Sequence, residues 1–246
     1  MDATNKRVAL VTGVGRPEGI GFAVCQQLAS QGIITLLTAR RPEAAETLAN
    51  RLQDEGVDVR PYVLDVAQPE SIRQLVEHIQ QDIGRLDILI NNAAGTSAYG
   101  EQAATADLDQ AHAVMETTLF GAWRLIQALL PLLRQSPAGR IVNVSSGAGS
   151  HGDPMFGLST SNQMGTSYAV SKAALNALTS KLALEEKEGN VLINAVCPGF
   201  TATFEGGEAM GAQPVADGAA GIVWAALLDN DGPTGKFFRN KKELAW

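Results

Sequence analysis

Short apolar runs recur along the chain, each followed by a polar or glycine-containing break and then by a segment with apolar residues every three or four positions. Arg7 to Thr12 reads as a buried strand, Gly13 to Gly21 as a loop and Phe22 to Ser30 as a helix on the 3.6-residue period. Ile33 to Thr38, Asp58 to Leu64 and Leu86 to Ile90 read as further strands, and Val215 to Leu228 as a late helix. Strands without polar alternation, separated by helical patterns, predict a mainly parallel sheet covered on both faces. Gly149 to Gly165 is rich in Gly, Ser, Asp and Asn and predicts an irregular loop. The best candidate for a membrane span, Phe120 to Leu133, is interrupted by Arg124 and falls short of the roughly 18 apolar residues a span needs, so no membrane partner is predicted.

Composition narrows the class. The 246 residues are 45% hydrophobic and 18% charged, with no repeat, low-complexity tract or Pro/Ser-rich linker, which predicts one globular domain over 1–246. A formal charge of -7 with scattered Lys and Arg speaks against nucleic acid. Met1 to Arg7 leads straight into the first strand without an apolar signal region, which predicts a cytoplasmic location. Cys25 and Cys197 fall in helix-like and strand-like segments, without ligand or disulfide spacing, and predict buried thiols and no metal site.

Candidate chemistry starts at the first strand-to-helix junction. Gly13, Gly15, Gly19 and Gly21 let the backbone approach a pyrophosphate, and the N-terminus of the helix that follows would offer its free N–H groups to it. Glu18 stands where a literal G-x-G-x-x-G has its third glycine, so the argument rests on the strand–loop–helix context. After the second strand come Arg40 and Arg41, where many dinucleotide folds place an acid for the ribose 2′-OH; with Arg16 they suit a 2′-phosphate, which predicts NADP(H) over NAD(H). Asp65-Val66 and Asn91-Asn92-Ala93-Ala94-Gly95 end the third and fourth strands at the ligand-binding edge. Asp65 could accept from the adenine amino group, and either end could equally be a cap or turn. Tyr168 and Lys172 stand four apart, which on a helix stacks phenol and ammonium on one face. The nearby cation is expected to lower the phenol's pKa from about 10.

These pieces, with Asn143-Val144-Ser145-Ser146 and Pro198-Gly199-x-x-x-Thr203 in the same order, make the chain resemble the short-chain dehydrogenase/reductase family, most closely its carbonyl-reductase-like, NADPH-using branch. The resemblance spans nearly the whole length. It implies a single-domain Rossmann fold, a three-layer α/β sandwich with a seven-stranded, mainly parallel sheet, ending near Gly232 to Arg239. It implies reduction of a ketone or aldehyde, with an NAD-dependent alcohol dehydrogenase and a non-catalytic NADP(H)-binding sensor as alternatives. Tyr168 would protonate the carbonyl oxygen, Ser146 would polarise it, and Lys172 would hold the nicotinamide ribose. Asn92, Ala93, Ala94 and Gly95 would line the adenosine and ribose channel. Pro198, Gly199, Thr201 and Thr203 would lie at the nicotinamide end, with Thr203 on the carboxamide. Side-chain alternation along a strand lets only one of Ser145 and Ser146 face the cleft, and the family pattern selects Ser146.

Three departures stand out. The loop from Gly13 to Gly19 is longer than the family's, so Gly15 to Glu18 should bulge near the adenosine phosphate. Thr118 stands where the family carries the Asn of its proton relay and is taken as its catalytic counterpart. Ser146 and Tyr168 lie further apart than usual, and the extra loop would cover the substrate, with His151, Met155, Phe156 and Met164 as contact candidates. Phe200 to Gly211, with Thr201, Phe204, Glu205, Gly206 and Gly207, reads as a mobile lid. The resemblance leaves a homo-oligomer (dimer or tetramer) and a monomer both open.

Overall fold

A strand buried at every residue must be covered on both faces. That holds for β1 (Val8–Val11), β2 (Ile34–Ala39), β4 (Ile88–Asn91), β5 (Gly139–Val144) and β6 (Val191–Cys197) in the computed structural model, which describes residues 6–161 and 165–246. The remaining strands are β3 (Val59–Val63), β7 (Phe237–Arg239) and β8 (Lys242–Glu243), and the sheet order is β3-β2-β1-β4-β5-β6-β7-β8. Every pairing is parallel except that of β7 with β8.

The eighth strand was not expected. It folds back through Asn240 and Lys241, both left-handed at φ 51° and 62°, the conformation of a tight hairpin turn. Its residues are polar and exposed, so no apolar pattern announces it.

Helices α1 (Ile20–Ser30), α2 (Pro42–Gln53) and α7 (Val215–Ala226) cover one face, and α3 (Pro69–Asp82), α5 (Gly121–Gln135) and α6 (Thr166–Glu185) the other. Pro42 and Pro69 open their helices where a missing N–H costs nothing, and Glu43 and Glu70 sit in those first turns beside the positive dipole end. Each fully buried Leu or Ile in the two layers contributes about 1.5–3 kcal/mol. Helix α4 (Leu108–Met115) runs into α5 through a π-helical turn, Glu116–Phe120. Both cysteines are buried, as expected. Among the described residues no helix is long and apolar enough to cross a membrane.

Chain order reverses at β1, whose neighbours are β2 and β4. The carboxyl ends of β1 and β4 therefore flank the crevice where open α/β sheets bind ligands.

Candidate active site

Helix α6 buries an unusually polar face: Ser167, Ser171, Lys172, Asn176 and Thr179 all point inward. Buried polar groups persist when hydrogen-bonded. Lys172 Nζ donates to Val144 O at 2.7 Å, Asn176 Nδ2 to Gly149 O at 3.1 Å and Thr179 Oγ1 to Leu175 O at 2.8 Å. Lys172 is 2% exposed, and its ammonium lies 5.5 Å from the centre of the half-buried Tyr168 ring, so the two share one helix face as their spacing predicts.

Ser146 follows β5 in extended conformation, its Oγ accepts from Ala148 N–H at 3.2 Å, and its hydroxyl faces the Tyr168 phenol closely enough to favour the ionised form. Ser145 turns the other way and donates to Asn176 Oδ1 at 2.5 Å, so of the two serines Ser146 is the one on the Tyr168 side. Burial pushes the Tyr168 phenol up to about 12, with the Ser146 hydroxyl pulling against it. Burial also pushes Lys172 down to about 8. The phenol thus moves opposite to the sequence-based expectation, because desolvation of its charged form dominates and outweighs the Ser146 hydroxyl. At neutral pH the phenol keeps its proton.

One element that holds α6 carries no local signal. Its capping residue Gly165 has φ 65° and no side chain to offer, and Glu101 reaches in from the β4–α4 loop instead. Glu101 Oε2 accepts from Ser167 N–H at 2.7 Å, and Glu101 O accepts from the N–H and hydroxyl of Thr166.

At the crevice a cavity of about 350 Å3 is lined by Gly13, Gly15, Arg40, Asp65, Val66 and the stretch Ala93 to Gly95. Thr96 and, from α4 and the π turn, Gln110, Ala113, Val114 and Thr117 complete it; sequence reasoning missed these, since α4 lacks a motif. Gly13 has φ 71°, and a Cβ there would lie 2.6 Å from Ala93 Cα, so the first loop and the end of β4 touch through backbone. Gly15 faces open space. No side chain caps α1, which leaves the N–H groups of Ile20 and Gly21 beside the glycine loop, while the cap Gly19 donates its own to Arg16 O at 3.2 Å.

Several expected contacts are placed differently. Asn92 is a strut: its Nδ2 donates to Thr12 O at 2.7 Å and Gly13 O at 3.3 Å, and a Cβ on Gly21 would lie 2.6 Å from it. Thr12 Oγ1, given no role beforehand, accepts from the N–H groups of Asn92 and Ala93 at 3.0 Å each. Asp65 is both turn former and cavity wall, with Oδ1 accepting from Ala67 N–H at 3.0 Å. Of the three arginines only Arg40 lines the cavity; Arg16 and Arg41 are exposed outside it. Among the described residues no ion pair engages any of the three.

Thr118 is fully buried, and its Oγ1 accepts from Gly95 N–H at 3.0 Å. Among the described residues no hydrogen bond joins it to Tyr168 or Lys172, and its oxygen braces Gly95 in the cavity wall.

Pro198, Gly199, Thr201 and Thr203 follow β6, outside the cavity. Buried Thr201 Oγ1 donates to Pro198 O and Gly199 O at 3.1 and 3.2 Å, which makes it a loop lock. The expected lid is pinned at its base by Ala202 N–H to Gln213 O and Gln213 N–H to Phe200 O, both 2.9 Å, while Phe204, Glu205 and Gly206 remain exposed. Phe156 packs on Phe200 and Phe200 on Phe204, with ring centres 6.2 and 6.3 Å apart, so the two loops share an aromatic wall. Met155 and His151 are exposed, and Met164 lies outside the described residues.

A family model described as short chain dehydrogenase matches residues 7–210. A (+)-neomenthol dehydrogenase of Arabidopsis thaliana is 34% identical over 291 aligned positions, covering 96% of this chain and 97% of that protein. A carbonyl reductase 1 of Sus scrofa, whose name specifies NADPH, is 32% identical over 286 positions, covering 99% and 96%. Among solved structures, salutaridine reductase from Papaver somniferum superimposes with a TM-score of 0.79 at 27% identity, covering 95% of this chain and 99% of that one.

Proposed function

The chain belongs to the short chain dehydrogenase family, on its carbonyl-reductase-like branch, and on that premise we propose that it reduces a ketone or aldehyde to the alcohol with NADPH. The observation that carries this is the cluster at the carboxyl end of β5, where the buried Lys172, anchored on Val144 O, lies 5.5 Å from the Tyr168 ring and the Ser146 hydroxyl faces the phenol. A carbonyl oxygen placed at both hydroxyls would receive two donors where negative charge develops, and one such donor is worth about 2.7–4 kcal/mol.

The chain's own groups fit a dinucleotide. Gly13 has no room for a side chain, Gly15 opens on the crevice, and the uncapped start of α1 offers N–H groups to a phosphate. Arg40, without an ion-pair partner among the described residues and bordering the cavity, suits a 2′-phosphate, with Arg41 and Arg16 adding positive charge from the surface. When bound, the nicotinamide supplies the hydride. Ser146 orients the carbonyl oxygen. Tyr168 holds its proton at neutral pH because burial keeps it un-ionised, and gives it to that oxygen as charge builds there. Lys172, anchored on Val144 O, then faces the phenolate ring and favours it electrostatically.

The test is parallel titration with NADPH and NADH by tryptophan fluorescence, followed by a carbonyl panel on wild type and Tyr168→Phe. NADPH preferred by tenfold, about 1.4 kcal/mol, and a loss of about 10²–10⁴-fold in turnover for the variant are expected. A Tyr168→Phe protein as active as wild type would sink the assignment.

A further inference from the structure

We propose that Arg239, together with Asp153, is a positioning residue for this reaction, holding Ser146 and the Met155–Phe156 stretch of the substrate loop at fixed places relative to Tyr168. The inference rests on the carbonyl-reductase reading of the same site.

The segments after β5 and β6 and the last residue of β7 converge on one atom, Cys197 Sγ. It accepts from Gly147 N–H at 3.3 Å, from Gly199 N–H at 3.4 Å and from Arg239 Nε and Nη2 at 3.3 Å each. A thiol sulfur is a weak acceptor, so the guanidinium's remaining partner carries more of the hold. That partner is Asp153, whose side chain is 0% exposed and pairs with Arg239 Nη2. The other Asp153 oxygen accepts from Met155 N–H and Phe156 N–H, both at 2.9 Å.

One guanidinium from β7 thereby reaches two functional segments. It lies against Gly147, the residue after Ser146, where a Cβ would overlap both Arg239 Nη2 and Asp153 Oδ2. Through Asp153 it also sets the turn that presents Met155 and the half-buried Phe156, the start of the aromatic wall. The same loop is tied at Ser150, whose hydroxyl donates to Ala245 O at 2.7 Å, and at His151 and Gly152, whose N–H groups donate to Trp246 O. A buried ion pair is a poor way to gain stability, because an apolar pair of the same size often serves as well. What this pair adds is direction: a planar fork aimed at a carboxylate and a sulfur fixes backbone that apolar packing would leave free to shift.

The experiment uses the full chain carrying Arg239→Met with Asp153→Asn, which leaves no lone buried charge, and Arg239→Lys, which keeps the cation but not the fork. Three readouts are taken: kcat and KM for a carbonyl with NADPH, NADPH affinity by fluorescence, and hydrogen exchange of the amides of Gly147, Met155 and Phe156. Expected for the double variant are a fall of about 10–100-fold in kcat, NADPH affinity within about twofold of wild type, and at least about tenfold faster exchange at those amides. Arg239→Lys should recover part of both losses. Wild-type kcat and unchanged exchange in a folded double variant would overturn the proposal, as would equal losses in kcat and NADPH affinity. If the double variant fails to fold, Arg239→Lys is read alone by the same criteria. A wild-type protein that reduces no carbonyl refutes the function proposed above, and exchange then still decides whether Arg239 clamps the loop.

Discussion

Replacing Thr118 by Val separates two roles for this residue, a brace of the cavity wall and the relay member that the sequence reading expects. Thr118 is fully buried at the π turn, and its hydroxyl takes the Gly95 N–H at 3.0 Å. Valine keeps the branched shape and removes only the acceptor, which leaves Gly95 N–H unpaired at a cost of about 1–3 kcal/mol. Gly95 is half-buried and can borrow water, which puts the loss near the lower end, about 1–2 kcal/mol. For a chain of this size each kcal/mol moves Tm by about 2–4 °C. Gly95 is also pressed on α4, where a Cβ would lie 2.7 Å from Val114 Cα, and it lines the cavity. A loosened Gly95 should therefore weaken NADPH binding by severalfold while kcat at saturating NADPH stays within about threefold of wild type, since no hydrogen bond joins Thr118 to Tyr168 or Lys172 among the described residues. Thermal unfolding, fluorescence titration and steady-state kinetics across pH read all three quantities. Unchanged Tm and NADPH affinity, with kcat reduced tenfold or a displaced pH profile, would refute the reasoning and return Thr118 to a proton relay.

Two further outcomes follow from the same geometry. With Lys172 held down at about 8 and Tyr168 up at about 12, both groups are protonated below pH 8; kcat/KM for carbonyl reduction should be level from pH 6 to 7 and decline above about 8 as Lys172 loses its charge, and a profile level to pH 10 would contradict that. Arg40→Ala should weaken NADPH about tenfold or more, in keeping with one charge-assisted contact of about 1.5–3 kcal/mol, and leave NADH nearly unchanged by titration; equal losses for both cofactors would remove the 2′-phosphate contact.

Much of this architecture was legible because it is local. The first strands are buried runs, the first helix follows a glycine loop, and the four-residue spacing of Tyr168 and Lys172 puts both on one helix face. Alternation along β5 was enough to leave one serine for the site, and the structure turns Ser146 there. What was not legible depends on partners far along the chain. Glu101 caps α6 from a loop before α4, Arg239 meets Asp153 across the sheet's edge, and no composition cue marks either. Asn92 sits within the right motif, yet its side chain braces Thr12 and Gly13 and leaves the cavity wall to Ala93, Ala94 and Gly95. The direction of the Tyr168 shift was missed for a related reason: spacing reveals the cation, whereas burial comes from everything packed around the ring. The π turn at Glu116–Phe120 likewise falls between Val114 of α4, pressed on Gly95, and Gly121 of α5, pressed on Val66.

The buried face of α6 also governs how that helix can be seated. A stripe of Leu and Ala tolerates slippage, because one apolar contact replaces another. Here Lys172, Asn176 and Thr179 each answer a particular oxygen or side chain, at Val144, Gly149, Ser145 and Asn143. Advancing the helix by a single residue, about 1.5 Å, would strand all of these partners at once rather than exchange them. The helix therefore sits in discrete notches, and the distance from Tyr168 to Ser146 is inherited from that ratchet instead of being tuned by the two hydroxyls themselves.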